Sequence, residues 1–133
     1  LQAVADLDRQ VTGTDRARLI EQLHRQRPGA LHVVRGDEKL LGYLAHRPGS
    51  LAVQIGPGVA VQPNAGLALA DAALQACAGE PVFIDIPAGN AAAGDWAKSR
   101  GFAVQRTLTR MRRGEPVVDR PAEIWASSGP ENG

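Results

Sequence analysis

A few side chains in this 133-residue sequence have the chemistry to move a proton or hold an anion. Asp85, in "FIDIP", is a carboxylate flanked by apolar residues, and burial would raise its pKa toward that of a useful general base. The alternative reading is a charged strand end that caps the following turn. His46, beside Arg47, closes an apolar strand run where a pocket could form, or else stands exposed at the strand end. His24 and His32 read as surface residues. Tyr43 is the only tyrosine, sits mid-strand, and is a phenol able to donate a proton. In "VQRTLTRMRR" the two-residue alternation of a strand puts Arg106, Arg110 and Arg112 on one face with Leu108. That face is either solvated or a contact for an anion or a second domain, because guanidinium groups grip carboxylates and phosphates bidentately. Cys77 lies in an apolar helical run with Leu74 and reads as an inert core residue. No His, Cys or Glu spacing suggests a metal site.

Composition narrows the classes. The length suits one domain with a proper core, and 44% hydrophobic with 4% aromatic residues is a soluble, Ala-rich profile. A formal charge of +1 leaves no excess of cations to neutralise phosphates, so nucleic acid is not expected as a partner. The single cysteine excludes an intramolecular disulfide and suits the cytoplasm. No apolar run reaches the roughly 18 residues of a membrane span. "LQAVADLDRQ" is too charged for a signal peptide. The chain begins at Leu1 rather than Met, which suits a piece of something longer.

The elements that must position these residues follow from periodicity and breakers. Residues 1–11 form a helix with Leu1, Val4, Ala5 and Leu7 inward, broken at Gly13-Thr14. Thr14 can N-cap "DRARLIEQLHRQ", with Ala17, Ile20 and Leu23 on one face. "ALHVVRGDEKLLGYLAHRPG" is a hairpin around Gly36-Asp37-Glu38. "LAVQIGPGVAV" is a third strand, with a bulge or splay expected at Gly56-Pro57-Gly58. Pro63 starts a helix that Gly79 stops, "PVFIDIP" is a short buried strand, and "NAAAGDWAKSR" is a helix closed by Gly101. Two strands, "FAVQRTLTRMRRG" and "AEIWASSG", end the chain. The order predicts an α/β (α+β) domain, a central mixed sheet with helices on both faces.

Asn90 with Ala93 and then Gly101-Phe102 resembles the last helix of GNAT-type N-acetyltransferases. The similarity extends over nearly the whole chain: "VTGTDRARLIEQL", "GYLAHRPGSLAVQIGP", "FIDIPAGNAAAGDWAKSRGF", "QRTLTRMRRGEP" and "EIWASSGPENG" follow the pattern of the C-terminal domain in a two-domain GNAT subgroup. The resemblance implies a GNAT-like acyl-CoA N-acyltransferase fold and acetyl-CoA as cofactor. It implies an acceptor that is a small-molecule or protein amine. It also implies that residues 1–133 are one domain from the C-terminal part of a longer protein, partnered by an N-terminal GNAT domain, and it allows a homodimer.

The family holds acetyl-CoA where a strand splays and a Gln/Arg-x-x-Gly-x-Gly/Ala turn opens a helix, whose backbone N–H groups take the pyrophosphate. Carried onto this chain, that turn is Gln62, Asn64, Ala65 and Gly66, with Asn90 as a further cofactor contact or simply an N-cap. The turn departs from the pattern: its small positions from Gln62 are Ala65 and Leu67, and Pro63 brings no donor. No Lys or Arg lies between Arg47 and Lys98, so weak or absent acetyl-CoA binding is expected. Where the family usually has a Tyr acid, seven residues after the Asn, stands Ala97. Trp96 is either a packing residue or a substrate platform. The alternative to an active acetyltransferase is therefore a catalytically degenerate module that shapes the substrate site, or dimerises, beside a catalytic GNAT domain.

Overall fold

Val4, Leu7 and Val11 recur at helical spacing and are buried, so residues Gln2–Thr12 form a helix, α1, laid on a sheet by that stripe. Leu1, expected inward, is half exposed. This is a computed structural model, and it describes residues 1–104, Gly114 and residues 118–127. The second helix, α2, spans Ala17–Gln26 with Arg16 at its cap position, so Thr14 does not cap it. Asp15 Oδ1 instead accepts the Ala17 N–H at 3.1 Å. The helix starts late because Arg16 is turned toward Asp8 on α1.

After a short 3-10 turn at Pro28–Ala30 come β1 (Leu31–Gly36) and β2 (Lys39–Pro48), the expected hairpin. Its loop is Asp37-Glu38, both at positive φ (50° and 66°), the geometry of a two-residue primed turn. β3 (Val53–Ala60) pairs antiparallel with β2, and the register shifts between Leu44 and His46, opposite the Gly56-Pro57-Gly58 stretch. The third helix, α3 (Pro63–Ala76), has Pro63 in its first turn. It ends before Gly79, which lies in the turn that follows at φ 83°. β4 is only Val82–Ile84 and runs parallel to β3 over Val53–Ile55. The fourth helix, α4 (Ala91–Ser99), closes as the glycine predicts. Gly101 sits at φ 88°, the Phe102 N–H returns to the Ala97 carbonyl at 3.0 Å, and the Gly101 N–H to that of Lys98 at 3.1 Å. A 3-10 turn at Pro121–Glu123 leads into β5 (Ile124–Ala126). Of the penultimate strand of the sequence reading, residues 102–104 are described and are not strand, and residues 105–113, with Arg106, Arg110 and Arg112, lie outside the described residues.

The sheet is mixed, in the order β1-β2-β3-β4, with β5 antiparallel on β3 at Gly58 and Val59. Successive residues of β2 face opposite ways, and each face has its own core. Tyr43 and Val59 pack with Val4, Leu7, Val11 and Ile20 of α1 and α2. Leu44, Ile55 and Ala60 pack with Leu69, Ala70 and Ala73 of α3, Ala93, Trp96 and Ala97 of α4, and Trp125 of β5. Burying each larger apolar side chain contributes about 1.5–3 kcal/mol, which fixes the helices to the two faces. Among the described residues no helix is long and apolar enough to cross a membrane.

Candidate functional site

Beyond Ile55 the outer edge of β3 leaves β4 and is taken up by β5. The segment is held from several sides. The Ser127 N–H bonds the Asp85 carbonyl at 2.9 Å, and the Arg120 N–H bonds the Val11 carbonyl at 2.9 Å. The residues singled out for a cofactor sit around this insertion. Gln62 is the cap residue of α3 with no side-chain cap bond, and it is exposed together with Asn64, whereas Ala65 is buried. Gly66 is buried too, and a Cβ there would overlap the indole ring of Trp125. Its missing side chain therefore gives room to Trp125, which is 3% exposed. Asn90 is buried and doubly engaged: Oδ1 accepts the Ala93 N–H at 3.0 Å, and Nδ2 donates to the Ile124 carbonyl at 2.9 Å. It is the N-cap of α4, and it also fastens that helix to β5.

Asp85 follows β4 and is half-buried; its Oδ2 accepts a bond from Gln54 Nε2 at 3.3 Å. It does not cap the turn before Asn90, where the Asn90 N–H bonds the Pro87 carbonyl instead. Tyr43 belongs to a different place. Its hydroxyl is buried on the α1–α2 face and donates to Asp8 Oδ1 at 2.6 Å. The Asp8 carboxylate, fully buried, also accepts from Arg16 Nε at 2.9 Å and from the other end of the guanidinium at 2.6 Å. Burial first, and then the negative charge of Asp8, push the Tyr43 phenol well above its ordinary pKa. The structure thus gives Tyr43 and Asp85 separate partners on separate elements and does not assemble them into one proton-transfer site.

Trp96 is buried, lies tilted against Phe102 with ring centroids 5.5 Å apart, and donates its indole N–H to Asp71 Oδ1 at 2.8 Å. Arg100 grips the same carboxylate bidentately, at 3.0 Å to each oxygen. The hydrogen bonds from Arg100 and then Trp96 hold Asp71 below the usual carboxylate range. This cluster ties α3 to α4, and it gives Trp96 a packing role. Ala97, where the resemblance leads one to expect an acid, is buried in the same core.

His46 departs from expectation. It is only 9% exposed and is stacked on His32 with centroids 5.3 Å apart. His32, read as a surface residue, is half-buried by that contact. Sequence reasoning also missed Asp8, Arg16 and Trp125. For Asp8 a signal exists: it interrupts the Val4-Leu7-Val11 stripe, and a carboxylate on an apolar helix face needs a buried partner.

A family model described as "Acetyltransferase (GNAT) domain" matches residues 4–126. No curated protein and no solved structure matches the chain.

Proposed function

The chain belongs to the GNAT acetyltransferase family, and within it we propose that this domain is the non-catalytic module of an acyl-CoA-dependent N-acetyltransferase. It shapes the acceptor site of a neighbouring GNAT domain, N-terminal in the same protein, or docks on it. Transfer to a small-molecule or protein amine belongs to that neighbour. The observation that carries this reading is the occupation of the cofactor positions by the chain's own groups: Gly66 receives Trp125, and both ends of the Asn90 amide are bonded.

The remaining positions do not fit acetyl-CoA either. From Pro48 to Ala97 there is no Lys or Arg, while a helix N-terminus supplies only about half a positive charge against the roughly four negative charges of the cofactor. Arg100, just beyond, is engaged with Asp71. A positioned acid contributes about 10²–10⁴-fold to such a transfer. Ala97 has no proton to give, and the Tyr43 proton is directed at Asp8.

Calorimetry of the chain with acetyl-CoA, and a mass-balance transfer assay with a panel of amines, test the reading. The expected result is no low-micromolar binding and no turnover at ordinary enzymatic rates. Tight binding, or turnover abolished by Asp85→Asn, would replace it with an acetyltransferase that uses an unfamiliar acid.

A further inference from the structure

The stacked histidines take no part in the reading above and have their own chemistry. His46 stands near the end of β2, where Ile55 faces it across the register, away from the pairing of β5 at Gly58 and Val59. It lies just past the register shift after Leu44, and His32 lies across from Leu44 on β1. Both ring nitrogens of His46 and Nε2 of His32 are buried without a hydrogen-bond partner. Stacked imidazoles in such a place are tolerated because a neutral ring is largely apolar; a charged one, unpaired and desolvated, is not.

The charged surroundings do not offset this. Arg27, ahead of the 3-10 turn, adds repulsion, His32 adds more once either ring is charged, and only Glu80, beyond α3, attracts. Glu80 is exposed, so solvent weakens its pull. Cys77, at the end of α3, is buried with its thiol pKa raised by burial, so it brings no charge. Among the described residues no group of three or more His, Cys, Asp or Glu could hold a metal, and proton uptake is the chemistry every imidazole carries.

We propose that His32 and His46 form an acid-responsive catch, holding the start of β1 against β2 while both rings are neutral and releasing it when either takes a proton. Burial lowers the pKa of both rings, and for His46 the neighbouring His32 and Arg27 lower it further. The sign follows. Unfolded histidine protonates near ~6.5, and the folded rings resist. Stability is therefore complete above that pH and is lost as the pH falls below it, by about tenfold in the folding constant per pH unit for each resisting ring. A carboxyl group free in water protonates near ~4, below this window.

Urea unfolding of the chain, His46→Phe and His32→Phe at pH 7.5, 6.5 and 5.5 reads the effect, since Phe keeps the ring and removes the titration. The folding constant of the unaltered chain should fall by about tenfold or more between pH 6.5 and 5.5, and each variant should shrink that fall to a few-fold. Equal falls in chain and variants would overturn the proposal. The three histidines also make a proton NMR titration of the unaltered chain tractable. Two imidazoles titrating below the ordinary histidine value support the catch. Fewer than two doing so overturns it, even if a variant fails to fold.

Discussion

At the residue scale the decisive side chains are polar groups in apolar places. Asp8 is tolerated inside the α1 stripe only because Arg16 and Tyr43 satisfy it. Asp8→Ala strands a largely buried guanidinium and a buried phenol, and it should lower unfolding free energy by about 3–5 kcal/mol. Tyr43→Phe, which removes one of the bonds to Asp8, should cost about 1–3 kcal/mol. Urea denaturation of both variants checks the ranking, and equal losses would contradict it. Gly66 offers a test with an opposed sign. Gly→Ala inside a helix normally stabilises by about 0.5–1 kcal/mol. Here the added methyl meets Trp125, so Gly66→Ala should destabilise by about 1–3 kcal/mol, with part of the loss recovered when Trp125→Leu is combined with it. The sequence signals that Asp8 needs a buried partner, but which residues partner Asp8 and Gly66 was not legible in it. Both partnerships join residues far apart in the chain, Asp8 with Tyr43 and Gly66 with Trp125, and no local pattern records them.

The elements were more legible, because their signals are local. Asn90 as a cap, Gly101 after α4, Pro63 at the start of α3 and the Asp37-Glu38 turn all stand where short-range stereochemistry puts them. Expectation failed where a distant partner intervened. Thr14 yields to a later helix start because Arg16 is drawn to Asp8. The exposed strand-end histidine turns out to be covered by a ring from β1. The hairpin turn permits a further test. Both loop residues adopt positive φ, and Glu38, at 66°, has a side chain that disfavours it. Glu38→Gly should therefore raise stability by up to about 1 kcal/mol, read as a higher urea midpoint at unchanged slope.

On the scale of the whole molecule, β3 joins three strands: β2 on one side, β4 and β5 sharing the other. Truncation after Arg120 would remove Trp125 and Ala126 from the core cluster and uncover Gly58 and Val59. Loss of one buried tryptophan alone is worth about 3–5 kcal/mol, of the order of a small domain's whole stability. The truncated chain should lose cooperative unfolding and bind a hydrophobic dye, whereas a sharp transition would show that β5 is dispensable.

The pairing of Gly58 with Ala126 also sets a timetable for synthesis. A ribosome delivers both helices of the α1–α2 face, the hairpin and β3 well before β5, and in that interval half of β3 presents open backbone groups to its surroundings. Non-local pairing of this kind slows the final closure. An unpaired strand edge is a template for another chain. The nascent domain is therefore most exposed to misassembly just before β5 arrives, and the pairing of β5 with β3 ends that exposure.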